Sequence, residues 1–165
     1  HFLTSLCMYG LVRLYVDMDR YEEAETLLAE ALPIAHRRMR PEHPVTLRLV
    51  NARAVVYTKQ KQYDKAETLF IEALKGRKDE LGDDHPDTLE SKNGLAVLYK
   101  EQARYADAEK LILEAIKGRI LKLGDTHPHT LKSWRILIEL YEAWEKPERA
   151  KQWRAKLLEL EAVEQ

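Results

Sequence analysis

The side chains in this chain whose types could do chemistry are six histidines, one cysteine and a pair of asparagines in matching positions. His43, His85 and His127 each precede a proline and stand 42 residues apart, and His127-Pro128-His129 adds a second imidazole. Three imidazoles brought together would make a zinc site. Placed one interval apart on separate elements, however, they are kept at least ~10 Å from one another, the spacing of packed helices. They read instead as residues that open helices. His36 stands near a helix end, where a cation is favourable. Cys7 lies in the apolar stretch Phe2-Leu3-x-x-Leu6-Cys7-Met8 and reads as a small core residue rather than a nucleophile. No Ser-His-Asp order, glycine-rich phosphate loop or paired-carboxylate motif stands out. The expectation is a non-catalytic chain with no metal and no cofactor.

The elements that carry these residues repeat. Tyr15, Tyr57, Tyr99 and Tyr141 keep the 42-residue interval, as do Ala24, Ala66, Ala108 and Ala150. Laying 43–84 over 85–126 leaves 21 of 42 positions identical with no gap. Such a period marks a solenoid, in which each unit buries its apolar face against its neighbours. Four units fit: 1–42, 43–84, 85–126 and 127–165. Apolar residues within them recur at helical spacing, Leu89, Leu95, Ala96 and Tyr99 marking one helix and Tyr105, Ala108, Leu111, Ile112, Ala115 and Ile116 the next. The connection through Glu101-Gln102-Ala103-Arg104 is short enough to make the pair antiparallel. At each junction Gly82 or Gly124 is expected to end a helix in the left-handed conformation. Pro44, Pro86 or Pro128 then opens the next helix at its first position. Gly76 and Gly118, inside the second helices, suggest close approach by the neighbouring unit, and Pro33 predicts a kink or break in the second helix of the first unit.

Composition narrows the function. Charged residues are 33% and hydrophobic ones 45%, a balance that argues against disorder. A net charge of −1 gives no basic field for a nucleic-acid backbone. No apolar run approaches membrane-spanning length. The lone cysteine fits a reducing, cytoplasmic compartment.

The pattern Leu95-Ala96-x-x-Tyr99, Tyr105-x-x-Ala108, Ile112 and Ala115 resembles the tetratricopeptide repeat, with Trp134, Leu137, Tyr141 and Ala150 following in phase. The junction Leu-Gly-Asp-x-His-Pro-x-Thr-Leu is similar to that of the longer, kinesin-light-chain-like variety. The resemblance implies an all-α, right-handed solenoid of four helix-turn-helix repeats. It further implies a groove lined by the first helix of each pair, which receives a protein or peptide ligand. Carried over by phase from the tyrosine, the groove positions are Tyr9, Arg13 and Asp17 in the first unit and Arg48, Asn51, Val55 and Lys59 in the second. In the third they are Glu90, Asn93, Val97 and Lys100, and in the fourth Lys132, Arg135, Glu139 and Glu142. Asn51 and Asn93 are in register, and an amide there could give a donor and an acceptor to an extended peptide backbone. The closing stretch from His127 through Pro147 is similar to final repeats attached to bacterial serine/threonine kinases, which implies an alternative role as a regulatory or self-associating segment of a larger signalling protein.

The ends differ. Arg154 replaces Leu28, Phe70 and Ile112 of earlier units, Lys151 replaces a glutamate and Leu157 an alanine, the polar outer face a terminal unit requires. The first helix, with Phe2, Leu3, Leu6, Cys7, Met8, Leu11, Val12, Leu14, Tyr15, Val16 and Met18, is apolar nearly all round, and such helices are normally buried. Another unit of a longer array, or another copy, is the expected cover, which would make the chain a C-terminal piece.

Overall fold

The structure, a computed structural model, describes residues 2–162, with side chains from Cys7 onward. Phe2, Leu3 and Leu6, as side chains, and Glu164 and Gln165 therefore lie outside the described residues. Eight helices are present among the residues described: α1 (Phe2–Asp17), α2 (Tyr21–Arg38), α3 (Pro44–Lys59), α4 (Tyr63–Leu81), α5 (Pro86–Glu101), α6 (Tyr105–Leu123), α7 (Pro128–Ala143) and α8 (Pro147–Ala162). They form two compact units, 1–82 and 83–165. In the first, α1 packs on α2 and α3, α2 on α3, and α3 on α4. In the second, α5 packs on α6 and α7, α6 on α7, and α7 on α8.

The histidines do open helices. His43, His85 and His127 are the N-caps of α3, α5 and α7, each ring Nδ1 accepting from the backbone N–H two residues on at 3.2 Å. That bond satisfies one of the donors a helix start leaves open. Proline follows at the first helical position, where its missing N–H costs nothing. Thr46 and Thr130, both fully buried, tie the same corner by donating to the Arg40 and Gly124 carbonyls at 3.3 and 2.8 Å.

Within each pair the turn is a Schellman motif. Gln62, Arg104 and Lys146 donate to the carbonyls of Tyr57, Tyr99 and Tyr141 at 2.8, 2.8 and 2.9 Å. The residue before each of these donors is left-handed: Lys61 at φ 59°, Ala103 at 58° and Glu145 at 55°, as is Asp19 at 56° in the first pair. None is glycine, so each carries a Cβ penalty. Replacing exposed Ala103 by glycine is expected to raise stability by about 0.5–1 kcal/mol. Ala155→Gly, within α8, should lower it by about 1 kcal/mol. Urea titrations of the two variants check both signs.

Three expectations need correction. Gly82 and Gly124 do end α4 and α6 at φ 90° and 91°, but their ψ values of 166° and 167° lie in the extended, glycine-only region rather than the left-handed helical one. Gly76 and Gly118 are approached from within their own pair. A Cβ on Gly76 would stand 2.8 Å from Leu47 Cδ2, and one on Gly118 the same distance from Leu89 Cδ2. The glycines let the leucine near the start of the first helix lie against the second helix. Pro33 does not break α2, which runs unbroken to Arg38. Ala29, whose carbonyl loses its partner, and Pro33 are both exposed, so the freed carbonyl lies on the side of the helix open to solvent rather than in the core.

The core of the first unit is built from alanines and leucines on α2 (Ala24, Leu28, Ala31, Leu32, Ala35) against Val45, Leu49, Ala52 and Val56 of α3, with Val12 from α1. Ala24, Ala66 and Ala108 are fully buried and Ala150 nearly so. A larger side chain there would force the pair apart at about 1–3 kcal/mol.

Candidate functional site

The candidate residues sit on the first helix of each pair, but they do not form a uniform exposed row. On α1, Arg13 and Asp17 are exposed, while Tyr9 is half-buried against the core. On α3, Lys59 is exposed, Arg48 and Val55 are half-buried, and Asn51 is buried. The neighbouring Arg53 and Tyr57 converge on Glu25 of α2: Arg53 Nη2 lies 2.5 Å and the Tyr57 hydroxyl 3.1 Å from Glu25 Oε1. The bond to Glu25 holds the Arg53 guanidinium above its ordinary value, and burial raises the Tyr57 phenol.

In the second unit, α5 contributes half-buried Glu90, Val97 and Lys100, and α7 contributes Lys132, Arg135, Glu139 and Glu142, all exposed. Lys100 Nζ meets Glu139 Oε2 at 3.0 Å, joining α5 to α7 across this face. Arg135 reaches Glu161 of α8 at 2.7 Å, and Glu142 pairs with Arg154 of the same helix. Exposed pairs of this kind contribute little stability and are easily exchanged. The lysines assigned to one phase are not equivalent, for Lys59 and Lys100 are 41 residues apart and the counterpart of Lys59 is Glu101.

The amides are placed otherwise than expected. Asn93 is 5% exposed, and its Nδ2 donates to Ser133 Oγ at 2.8 Å. Arg119, 4% exposed on α6, donates from Nη1 to the same Ser133 Oγ at 2.5 Å and to the His129 carbonyl at 2.7 Å. Asn93, Arg119 and Ser133 thus form a buried polar cluster locking α5, α6 and α7. The Asn93 amide belongs to the seam between first helices, and one of its two N–H groups is committed there. Burial lowers the Arg119 guanidinium from its usual value, with the Glu90 charge opposing. Burial and then the Arg119 charge lower the His129 imidazole. The recurrence of Arg77 and Arg119, and of Ser91 and Ser133, at the 42-residue interval was the available signal for this cluster.

The His127 and His129 rings stack at 5.4 Å, but His127 Nδ1 is engaged in capping. Among the described residues no group of three or more His, Cys, Asp or Glu could hold a metal ion. No described helix is long and apolar enough to cross a membrane. Cys7 is exposed rather than core, because nothing among the described residues covers its side of α1.

Comparison with known proteins places this architecture. Two family models, both described as tetratricopeptide repeat, match residues 4–45 and 48–120. Among solved structures, a protein of Podosopora anserina assigned as a kinesin light chain, with nearly identical TPR-like repeats, is similar at a TM-score of 0.83 and 24% identity. That match covers 99% of this chain and 77% of that one. BtubC (BKLC) from P. vanneervenii is similar at a TM-score of 0.81 and 20% identity, over 96% of this chain and 63% of that one. A search of curated proteins gives no match. The 42-residue phrase, the capped helix pairs, the family models and the kinesin-light-chain-like fold agree: this α-solenoid belongs to the tetratricopeptide-repeat family.

Proposed function

We propose that the chain is a non-catalytic scaffold, a single array over 1–165, that receives a peptide or partner loop on the face of its first helices. The family mediates protein–protein interaction in general, and one observation supports this particular face. On α7, Lys132, Arg135, Glu139 and Glu142 are exposed at helical spacing, while Ser133, Trp134, Ile136, Leu137, Leu140 and Tyr141 are buried. Packing uses the rest of the helix and leaves this stripe, two cations followed by two carboxylates, at the surface, where its pairs with Lys100, Glu161 and Arg154 are exposed and exchangeable. Charges so placed recognise a partner by complementarity and steer its approach. Arg13 and Asp17 on α1, and Arg48 and Lys59 on α3, supply comparable charges in the first unit.

The test is a peptide array probed with the chain, followed by affinity measurements on Arg48→Ala, Lys132→Ala, Arg135→Ala and Glu139→Ala. At least one is expected to weaken the selected peptide tenfold or more, about 1.4 kcal/mol, with an unchanged melting temperature. Full affinity in the combined variant would exclude this face.

A further inference from the structure

One helix face is left bare in a register where its counterparts are covered. Cys7, Leu11 and Leu14 lie along one side of α1 and Met18 follows in the turn just past its end, with Leu11 47%, Leu14 51% and Met18 54% exposed and Cys7 exposed as well. One period on, the same register on α3 holds Leu49 and Val56, both fully buried within the core cluster that α2 closes, with half-buried Arg53 between them paired to Glu25 of α2. Three periods on, it holds Ser133, Leu137 and Leu140 of α7, again fully buried, with Ser133 bonded to α6. The covering helix also supplies a glutamate to the repeated tyrosine. Tyr57 donates to Glu25 of α2 at 3.1 Å, and Tyr141 to Glu109 of α6 at 2.5 Å. Tyr15 occupies the same position, half-buried beneath the Arg20 guanidinium, and its hydroxyl has no carboxylate partner among the described residues.

We infer that this side of α1 is a docking surface for one amphipathic helix of the α2 kind, belonging to a further helix pair. The recognised stripe is read from α2: a glutamate, then aliphatic residues three and seven positions on, then a small residue at position ten, as in Glu25, Leu28, Leu32 and Ala35. The α6 kind fits less well. Its Arg119 needs the hydroxyl of Ser133, whereas the position facing it on α1 is Cys7 in an apolar row. A second copy of this chain fits poorly too. Its α2 and α6 stripes are already buried, and α8 would present Lys151 and Arg154 in the register of Glu25 and Leu28, with no carboxylate for Tyr15.

Cys7 is the only thiol in the chain and reports on the surface directly. A copy of residues 1–42, with its own Cys7 changed to serine, is placed in register ahead of His1 of the full chain. Alkylation of the remaining thiol is expected to slow tenfold or more, and Leu14→Glu in the original α1 should restore the fast rate. A synthetic peptide of the α2 sequence, residues 21–38, added to the unextended chain should slow it in the same way. An unchanged rate in the extended chain, whether or not its added helices form, overturns the inference. A slow rate in the unextended chain together with doubled mass in light scattering also overturns it, because the surface would then serve a second copy.

Discussion

Arg119→Ala is expected to destabilise the second unit by about 3–4 kcal/mol, while Arg119→Met leaves it within about 1 kcal/mol of the parent. The Arg119 side chain is buried and joins three helices through the His129 carbonyl and Ser133 Oγ. Truncation to alanine removes two charge-assisted hydrogen bonds and leaves a cavity, and each kind of loss is worth about 1.5–3 kcal/mol or more. Methionine keeps most of the apolar stem and removes the charge whose desolvation lowers the guanidinium. Replacing a buried charge by an apolar group of similar volume is often neutral or stabilising. The two variants therefore separate the polar lock from simple filling of space. Equal losses in chemical denaturation would mean the hydrogen bonds dominate; a small loss for methionine alone assigns the cost to volume. Ser133→Ala combined with Arg119→Ala should cost less than the sum of the two, because both remove the same bond.

The period made the fold legible and hid the neighbours. His43-Pro44 and its counterparts could be read as helix openings because capping is local, decided by two or three adjacent residues. The pairing of helices followed from connections too short to allow anything else. What the repeat could not tell was which surface a recurring residue meets. Gly76 and Gly118 recur because a leucine of the same pair lies on them, yet a neighbouring unit would produce the same recurrence. Asn51 and Asn93 recur and are polar, which suits a solvated groove as well as a buried seam; only the position of Ser133 distinguishes the two. Pro33 was judged by the hydrogen bond it removes, and the outcome depended on which side of α2 faces water. The candidate face was legible as a register of the first helices. The residues within it that packing had already used were not.

The same register gives opposite outcomes at Leu140 and Leu14, which stand three periods apart. Leu140 is fully buried within the second unit, and Leu140→Ala should cost about 3–5 kcal/mol from lost transfer energy and the cavity left behind. Leu14 is 51% exposed, and Leu14→Ala should change stability by no more than about 0.5 kcal/mol, as for ordinary surface positions. If Leu14→Ala proves as costly as Leu140→Ala in the isolated chain, that face of α1 is already covered in solution. The comparison becomes sharper in the chain extended by a copy of 1–42, where a docked helix would bury Leu14 as α2 and α3 together bury Val56. There Leu14→Ala should acquire a cost of at least about 2 kcal/mol. A substitution whose penalty depends on what has been added beside it, with its own sequence neighbours unchanged, measures the docking surface in units of stability. In a solenoid a residue's burial is set by the next helix rather than by its own, and Leu14 is the position where that dependence is most exposed to measurement.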